Sequence, residues 1–157
     1  MIQLSTIDEK YLPQIIAARE YFDKFFVKYP GQYWIAGGAL LSFFHHGYVC
    51  QNSSDVDIYA KDKLTLDILT TDLLKDGNYV ETTKDGSGGK ASLVVKLKLM
   101  ANYSDWSNID LINIPFNSMQ ECCDDFDFTT CKAAISSTDI YFHSNYFEHL
   151  AKCKLVH

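Results

Sequence analysis

The chain has 157 residues, a length typical of one compact domain. Hydrophobic residues make up 47% of it and aromatic residues 14%, a composition that excludes an intrinsically disordered chain. The formal net charge of −6 disfavours a duplex-DNA-binding protein, because such proteins neutralise phosphates with lysine and arginine. We therefore expect no duplex DNA partner, although an acidic protein can still bind nucleotides through metal ions.

The numbers of arginines and cysteines further limit the kinds of binding site that this protein can have. Arg19 is the sole arginine beside 13 lysines, so bidentate arginine clamps on phosphate are almost unavailable. Five cysteines without CxxC spacing indicate reduced thiols rather than a zinc site or a disulfide scaffold. The sequence shows no secretory signal and no apolar run of membrane-spanning length. We expect a cytoplasmic protein without a membrane partner, in the host cytoplasm if its source is a phage or virus.

Apolar residues recur at helical spacing between Ile7 and Tyr29, which predicts a first helix. Pro13 is tolerated only in a first turn, so this helix is expected to start near Tyr11. The remaining predicted elements, in chain order, are the strand Tyr33 to Ala36, the helix Ala39 to His46, the strand Asp55 to Ala60, the helix Lys63 to Lys75, the hairpin strands Tyr79 to Thr83 and Ala91 to Met100, the strand Ile109 to Ile114, the helix Ser118 to Cys123, a strand end turning into a helix over Asp127 to Ala134, the strand Ile140 to Phe142 and the helix Tyr146 to Lys154.

Strands interspersed with helices, together with one hairpin, predict an α+β (mixed α/β) fold. We expect a single domain over residues 1–157, built on a small mixed β-sheet with flanking helices.

A double-glycine turn, Gly37-Gly38, connects the first predicted strand to the second helix. Adjacent glycines permit positive φ and leave no side chain between the backbone and a ligand. The N-terminus of the following helix favours an anion such as a phosphate. On this dipeptide alone, a tight strand-to-helix turn without any ligand is the favoured interpretation.

Three aspartates stand on two predicted strands. Asp55 and Asp57 are two apart on one strand and so point to the same side, where they suit magnesium unless this face is simply solvated. Asp110 is the one acid inside an otherwise apolar strand, where an unpartnered carboxylate is expensive. If the two strands are neighbours, the three carboxylates converge. Three acids around two magnesium ions form the arrangement used for in-line nucleotidyl displacement.

The order of these motifs resembles the DNA polymerase β-like nucleotidyltransferase superfamily. Its pattern is a Gly-Gly turn, a short helix, an acid-x-acid strand and a third acid on a following strand. Here Gly37-Gly38, Asp55, Asp57 and Asp110 match, over roughly Trp34 to Ile114. The later stretch 125–132, DFDFTTCK, more loosely resembles small nucleotidyltransferase-like proteins of phages and large viruses.

The resemblance implies a minimal, single-domain enzyme that moves a nucleoside monophosphate from an NTP such as ATP to a hydroxyl of an RNA, protein or small-molecule acceptor. It implies two Mg²⁺ ions held by Asp55, Asp57 and Asp110, with Asp110 also orienting or deprotonating the acceptor hydroxyl. The residues expected at the nucleotide are Gly37, Gly38, Ser54 and Lys96.

The sequence also departs from the superfamily pattern. No arginine follows the glycines, and about 45 residues after Asp110 leave no room for a large acceptor-binding domain. The alternative is therefore a non-catalytic protein on the same fold, either a viral anti-defence protein or one half of a toxin–antitoxin pair. Calorimetric binding that survives loss of the acids would distinguish it.

Four other features of the sequence carry weaker signals. Asp125 and Asp127 are a second acid-x-acid pair and a candidate metal site, but Phe126 and Phe128 favour a strand edge with outward acids. A flexible hairpin loop accounts for the segment 86–91, which lacks the residues of a phosphate-binding loop. His45 and His46 suit the C-terminal end of a helix. Lys96 and Lys98 share one strand face, either offsetting the acids or facing solvent.

Overall fold

The computed structural model describes residues 9–50, 55–82, 94–99 and 106–152. Within these ranges the helices are α1 (Leu12–Lys28), α2 (Gly38–His46), α3 (Lys63–Lys75), α4 (Met119–Asp124) and α5 (Tyr146–Ala151). The strands are β1 (Tyr33–Ala36), β2 (Val56–Ala60), β3 (Tyr79–Glu81), β4 (Val94–Leu99), β5 (Asn108–Ile112), β6 (Ala133–Ser136) and β7 (Ile140–Phe142). Short 3-10 turns cover Glu9–Tyr11 and Thr129–Cys131. No helix in this part of the chain is long and apolar enough to cross a membrane.

All seven described strands form one sheet in the order β3-β4-β5-β2-β1-β6-β7. Strands β2 and β5 are parallel, and the other neighbouring pairs are antiparallel. The expected α+β fold with a mixed sheet is confirmed, as is the hairpin pairing of β3 with β4. Parallel pairing of β2 with β5 matters most for the site, because it makes the strand of Asp57 a neighbour of the strand of Asp110.

Each face of the sheet has its own hydrophobic core. The larger core lies between the sheet and helices α1, α2, α3 and α5, where Phe22 and Phe25 of α1 are almost completely buried. The smaller core lies on the opposite face and joins Trp34, Tyr59 and Ala134 to the buried thiols of α4. Alternation along β2 therefore sends Ile58 to the larger core and Tyr59 to the smaller one, as the period of a strand requires.

Local signals set the helix ends. Asp62 caps α3 by accepting a hydrogen bond from the Thr65 backbone N–H at 2.8 Å, and Ser118 caps α4 by accepting one from Glu121 at 3.1 Å. Gly47 ends α2 in the left-handed conformation, with φ of 81°. These caps explain why the predicted bounds of α2, α3 and α4 agree with the observed helices within one residue.

One predicted element is wrong. Instead of a helix, the segment from Asp127 to Ala134 forms a loop, the 3-10 turn and the start of β6. Asp125 and Asp127 are exposed on that loop rather than on a strand edge. Ala134 pairs with Ala36, so the need to hydrogen-bond the edge of β1 prevails over the helix propensity of alanine.

Several predictions fall on residues outside the described ranges. They concern Ser54, the loop 86–91, the outer ends of the hairpin strands, the start of the first helix's apolar pattern at Ile7 and the last residues of the final helix. Among the described cysteines, Cys122, Cys123 and Cys131 are free thiols.

Candidate active site

Strand register aligns charged residues across the middle of the sheet. Lys96 of β4 is opposite Asp110 of β5, Asp110 is opposite Asp57 of β2, and Asp57 is opposite Ala36 of β1. Neighbouring strands are about 4.8 Å apart, and residues in register project from the same face. The three charged side chains therefore form one row, on the sheet face that also carries Tyr59 and the smaller core.

Asp55 joins this row from the residue just before β2. Its carboxylate feels the charge of Asp110, and Asp110 accepts a hydrogen bond from Lys96, with Nζ 2.9 Å from Oδ2. The Asp110 side chain is 14% exposed, whereas that of Lys96 is 52% exposed. The structure thus brings Asp55, Asp57, Asp110 and Lys96 into one cluster, and Lys96 offsets the acids rather than only facing solvent.

Mutual repulsion and burial change the protonation of this acid cluster. Burial, followed by the charges of Asp110 and Asp55, raises the pKa of Asp57 to about 7, while Lys96 opposes the rise. Burial and Asp110 likewise raise the pKa of Asp55. The hydrogen bond to Asp110 raises the pKa of Lys96, so its charged form is favoured. Because Asp55 and Asp57 resist ionisation, an additional cation at the cluster would relieve repulsion.

The donor set of this cluster suits a hard cation, because carboxylate oxygens are the ligands that magnesium prefers. Within the described residues, however, no group of three or more His, Cys, Asp or Glu side chains is placed so that it could hold a metal ion. The fit to magnesium is therefore one of ligand chemistry and charge, and binding would require the side chains of the cluster to reorient.

The Gly37-Gly38 turn lies at the same end of the sheet as the acid cluster. Gly37 directly follows Ala36, the register partner of Asp57, and caps α2 with φ of 79° and ψ of −130°, a conformation that effectively requires glycine. Its N–H donates to the Ala133 carbonyl at 3.1 Å. That bond fixes the turn to β6, so this N–H already has an acceptor within the protein.

Sequence reasoning missed Phe126 at this turn. A Cβ placed on Gly37 would lie 3.6 Å from Cζ of Phe126, and the Phe126 ring also packs edge-on against Tyr59 at 6.1 Å. The side chain is half-buried and borders the turn. Its alternation with two aspartates had indicated a strand edge, and no local signal placed it against a residue 89 positions earlier.

The other sequence candidates lie elsewhere. Arg19 donates to the backbone carbonyls of Ser136 and Asp139, the latter at 2.8 Å, and so ties α1 to the β6–β7 hairpin. His45 and His46 are exposed at the C-terminal end of α2, as expected.

Comparison with known families identifies the lineage of this chain. The model of the Gabija anti-defense 2 (Gad2) family matches residues 12–152. The chain belongs to the Gad2 family. No curated protein matches it.

Solved structures similar to this Gad2-family chain include tRNA-processing enzymes. A CCA-adding enzyme in apo form II has a TM-score of 0.58 at 13% identity, over 98% of this chain and 37% of its own. A tRNA-processing enzyme in apo form I has a TM-score of 0.55 at 17% identity, over 92% of this chain and 36% of its own. The Thermotoga maritima CCA-adding enzyme complexed with tRNA has a TM-score of 0.53 at 14% identity, over 98% of this chain and 34% of its own.

The Gad2-family chain therefore has a nucleotidyltransferase-like fold, as the resemblance in its sequence implies. It spans 34–37% of the length of these structures, and at 13–17% identity the likeness shows the fold alone.

Proposed function

We propose that this chain is a magnesium-dependent nucleotidyltransferase that moves a nucleoside monophosphate from an NTP to a hydroxyl, and that this reaction counters the Gabija defence. The acceptor is an RNA, a protein or a small molecule. The anti-defence role follows the description of the Gad2 family, to which the chain belongs.

One observation carries the enzymatic part of this proposal. Parallel pairing sets Asp57 beside Asp110, and the charge of Asp110 acts on Asp55, next to a glycine turn that opens a helix. The raised pKa of Asp57 is typical of functional sites, since a purely structural protein gains nothing from gathering repelling acids. The nucleotidyltransferase-like fold supports the same interpretation.

Each residue has a distinct proposed role. Asp55, Asp57 and Asp110 would hold Mg²⁺, which when bound neutralises the phosphates and lowers the pKa of the attacking hydroxyl. Gly37 and Gly38 would leave room for the triphosphate at the positive end of α2, and Lys96 would offset charge near it. Asp110 would accept the proton of the acceptor hydroxyl as its oxygen attacks the α-phosphorus and pyrophosphate leaves.

Label transfer tests the catalytic proposal. The protein is incubated with Mg²⁺, each α-³²P-labelled NTP and acceptors that include RNA and purified Gabija proteins. We expect labelled acceptor from the wild type, and a loss of about 100-fold or more with Asp57→Asn. Asp127→Asn, which changes an exposed aspartate on a loop, is the matched control and should retain activity. Labelling that persists in Asp57→Asn, or none by the wild type, contradicts catalysis.

A second candidate is a non-catalytic binding protein on the same fold. Its specific support is the ion pair between Lys96 and Asp110 together with the high pKa of Asp57, which allow the cluster to persist without a metal ion. Calorimetry with purified Gabija proteins separates the two. Binding that survives Asp55→Ala and EDTA, in a protein without label transfer, favours this candidate.

A further inference from the structure

Helix α3 carries an exposed apolar face opposite to its buried one. Leu66, Leu69 and Leu73 are buried against the sheet. Leu64 and Ile68, four residues apart and therefore on one side of the helix, are 68% and 54% exposed. Isolated exposed aliphatic residues are common, but a pair at this spacing gives a helix a continuous apolar ridge.

Three depressions run beside this ridge. The largest, about 490 Å³, lies between the start of α3, the start of β1 and the N-terminal end of α4. A second, about 180 Å³, extends from the Pro30-Gly31 turn to Ile68, and a third, about 220 Å³, follows the outer side of α3. Thr65 lines the first and second, and Ile68 lines the second and third. Neighbouring depressions therefore share lining residues, and we call the three depressions together with the ridge the α3 surface.

Aspartates outnumber lysines on the α3 surface. Its aspartates are Asp62, Asp67, Asp72 and Asp139, and its lysines are Lys61, Lys63 and, at the C-terminal end of the helix, Lys75. One lysine is already paired, since Lys63 Nζ lies 2.8 Å from Asp67 Oδ2. The surface is thus complementary to a segment that carries positive charges beside an apolar anchor.

The α3 surface and the acid cluster lie at opposite ends of the central strands. Strand β1 starts at Tyr33, in the wall of the large depression, and ends at Ala36 beside the glycine turn. Strand β2 runs back from the acids to Ala60, and α3 begins three residues later. At about 3.3 Å per residue these ends are roughly 10 Å apart or more. A partner on α3 would leave the acid cluster accessible.

The charge of the α3 surface indicates which kind of partner it can bind. An acidic surface repels the phosphates of a nucleic acid. A second copy in a symmetric dimer would set this acidic patch against itself, at a cost in repulsion. A protein segment with lysine or arginine flanking a large apolar side chain avoids both penalties.

We propose that the α3 surface docks a partner protein through a basic segment with an apolar anchor, and that this partner belongs to the Gabija defence. The inference rests on the anti-defence part of the proposed function and not on catalysis. The apolar side chain would lie between Leu64 and Ile68, and the basic groups would face Asp67 and Asp72.

Binding to immobilised, purified Gabija proteins, measured by biolayer interferometry, tests this docking. We expect the double variant Leu64→Glu/Ile68→Glu to weaken binding by about tenfold or more, since apolar anchors dominate such interfaces. The matched control Val27→Glu alters an 81%-exposed side chain on α1 and should bind within about twofold of wild type. Asp67→Lys/Asp72→Lys should also weaken binding and reduce its salt dependence.

The outcomes for docking and for catalysis can be told apart. Asp57→Asn should bind like the wild type, so failed label transfer with intact, α3-dependent binding refutes catalysis and supports docking. Absence of wild-type binding, or binding unchanged by both double variants, overturns the proposal. Two further results would overturn it. One is a wild-type dimer in analytical ultracentrifugation that the Leu64→Glu/Ile68→Glu variant does not form, and the other is binding of labelled RNA that this variant abolishes. Unchanged thermal melting of the variants shows that the fold is kept.

Discussion

Replacing Asp57 by asparagine should stabilise the metal-free protein at neutral and alkaline pH. Burial and the charges of Asp110 and Asp55 raise the pKa of Asp57 from its ordinary 3.8 to about 7. The folded protein therefore keeps a proton that the unfolded chain releases above about pH 4, so the free energy of unfolding falls as pH rises from about 4 to 7. Asparagine preserves the shape of the side chain and has no proton to lose.

The size of this effect follows from the two pKa values. Their difference, at about 1.36 kcal/mol per pH unit, corresponds to a penalty of up to about 4 kcal/mol at pH 8. Near pH 4 the penalty vanishes, because the carboxyl is protonated in the folded protein and only starting to ionise in the unfolded one. The variant should thus match the wild type at pH 4 and exceed its stability progressively up to about pH 8.

Urea denaturation in EDTA, followed by tryptophan fluorescence at several pH values, measures this difference. Asp127→Asn, at an exposed position outside the cluster, should show no comparable gain. A difference between wild type and Asp57→Asn that stays constant from pH 4 to 8 would refute the raised pKa of Asp57. If Mg²⁺ binds as proposed, tenfold its Kd should stabilise the wild type by about 1.4 kcal/mol, and the variant less.

Three further substitutions have distinct expected outcomes. Lys96→Met removes the cation that lowers the pKa of Asp57, so the pH dependence of stability should shift to higher pH, and label transfer should fall. Gly37→Ala places a side chain at a positive φ and should lower the free energy of unfolding, measured by urea denaturation, by about 1–3 kcal/mol. The control Gly77→Ala, also at a positive φ but in open space, should destabilise the protein without weakening nucleotide binding measured by calorimetry. Arg19→Ala should lower the free energy of unfolding by about 1.5–3 kcal/mol, because it breaks charged hydrogen bonds to two carbonyls, while label transfer by the folded protein is unchanged.

Local chemistry allowed much of the fold to be predicted. The bounds of β1, α3 and β7 agree with the sequence to the residue, because turn residues and caps end each element within a few positions. Propensity failed at Ala133 and Ala134, where two good helix formers lie in a strand. One partner of that strand is β7, which follows it, and the other is β1, about a hundred residues earlier; a pairing over the longer distance leaves no periodic signal.

The acid cluster was predictable in composition but not in arrangement. The spacing of Asp55 and Asp57 and the apolar setting of Asp110 marked them as partners, conditional on neighbouring strands, and β2–β5 pairing meets that condition. Whether Lys96 faces the acids depends on the register of β4 with β5, which the hairpin alone does not set. Contact between Phe126 and the glycine turn likewise depends on the path of a loop.

Parallel pairing of β2 with β5 has a consequence for how the chain folds. Asp57 meets Asp110 only after a loop of about fifty residues closes, and closure of that length is slow compared with forming α3 or the hairpin. The same step brings like charges together, so ionised acids should raise the barrier that closure must cross. Folding should accelerate as the pH falls toward the pKa of Asp57. A cation that binds the aspartates as the two strands meet should also speed folding, because it reduces their repulsion. The arrangement proposed for chemistry thus also makes the speed of folding sensitive to the ions around the chain.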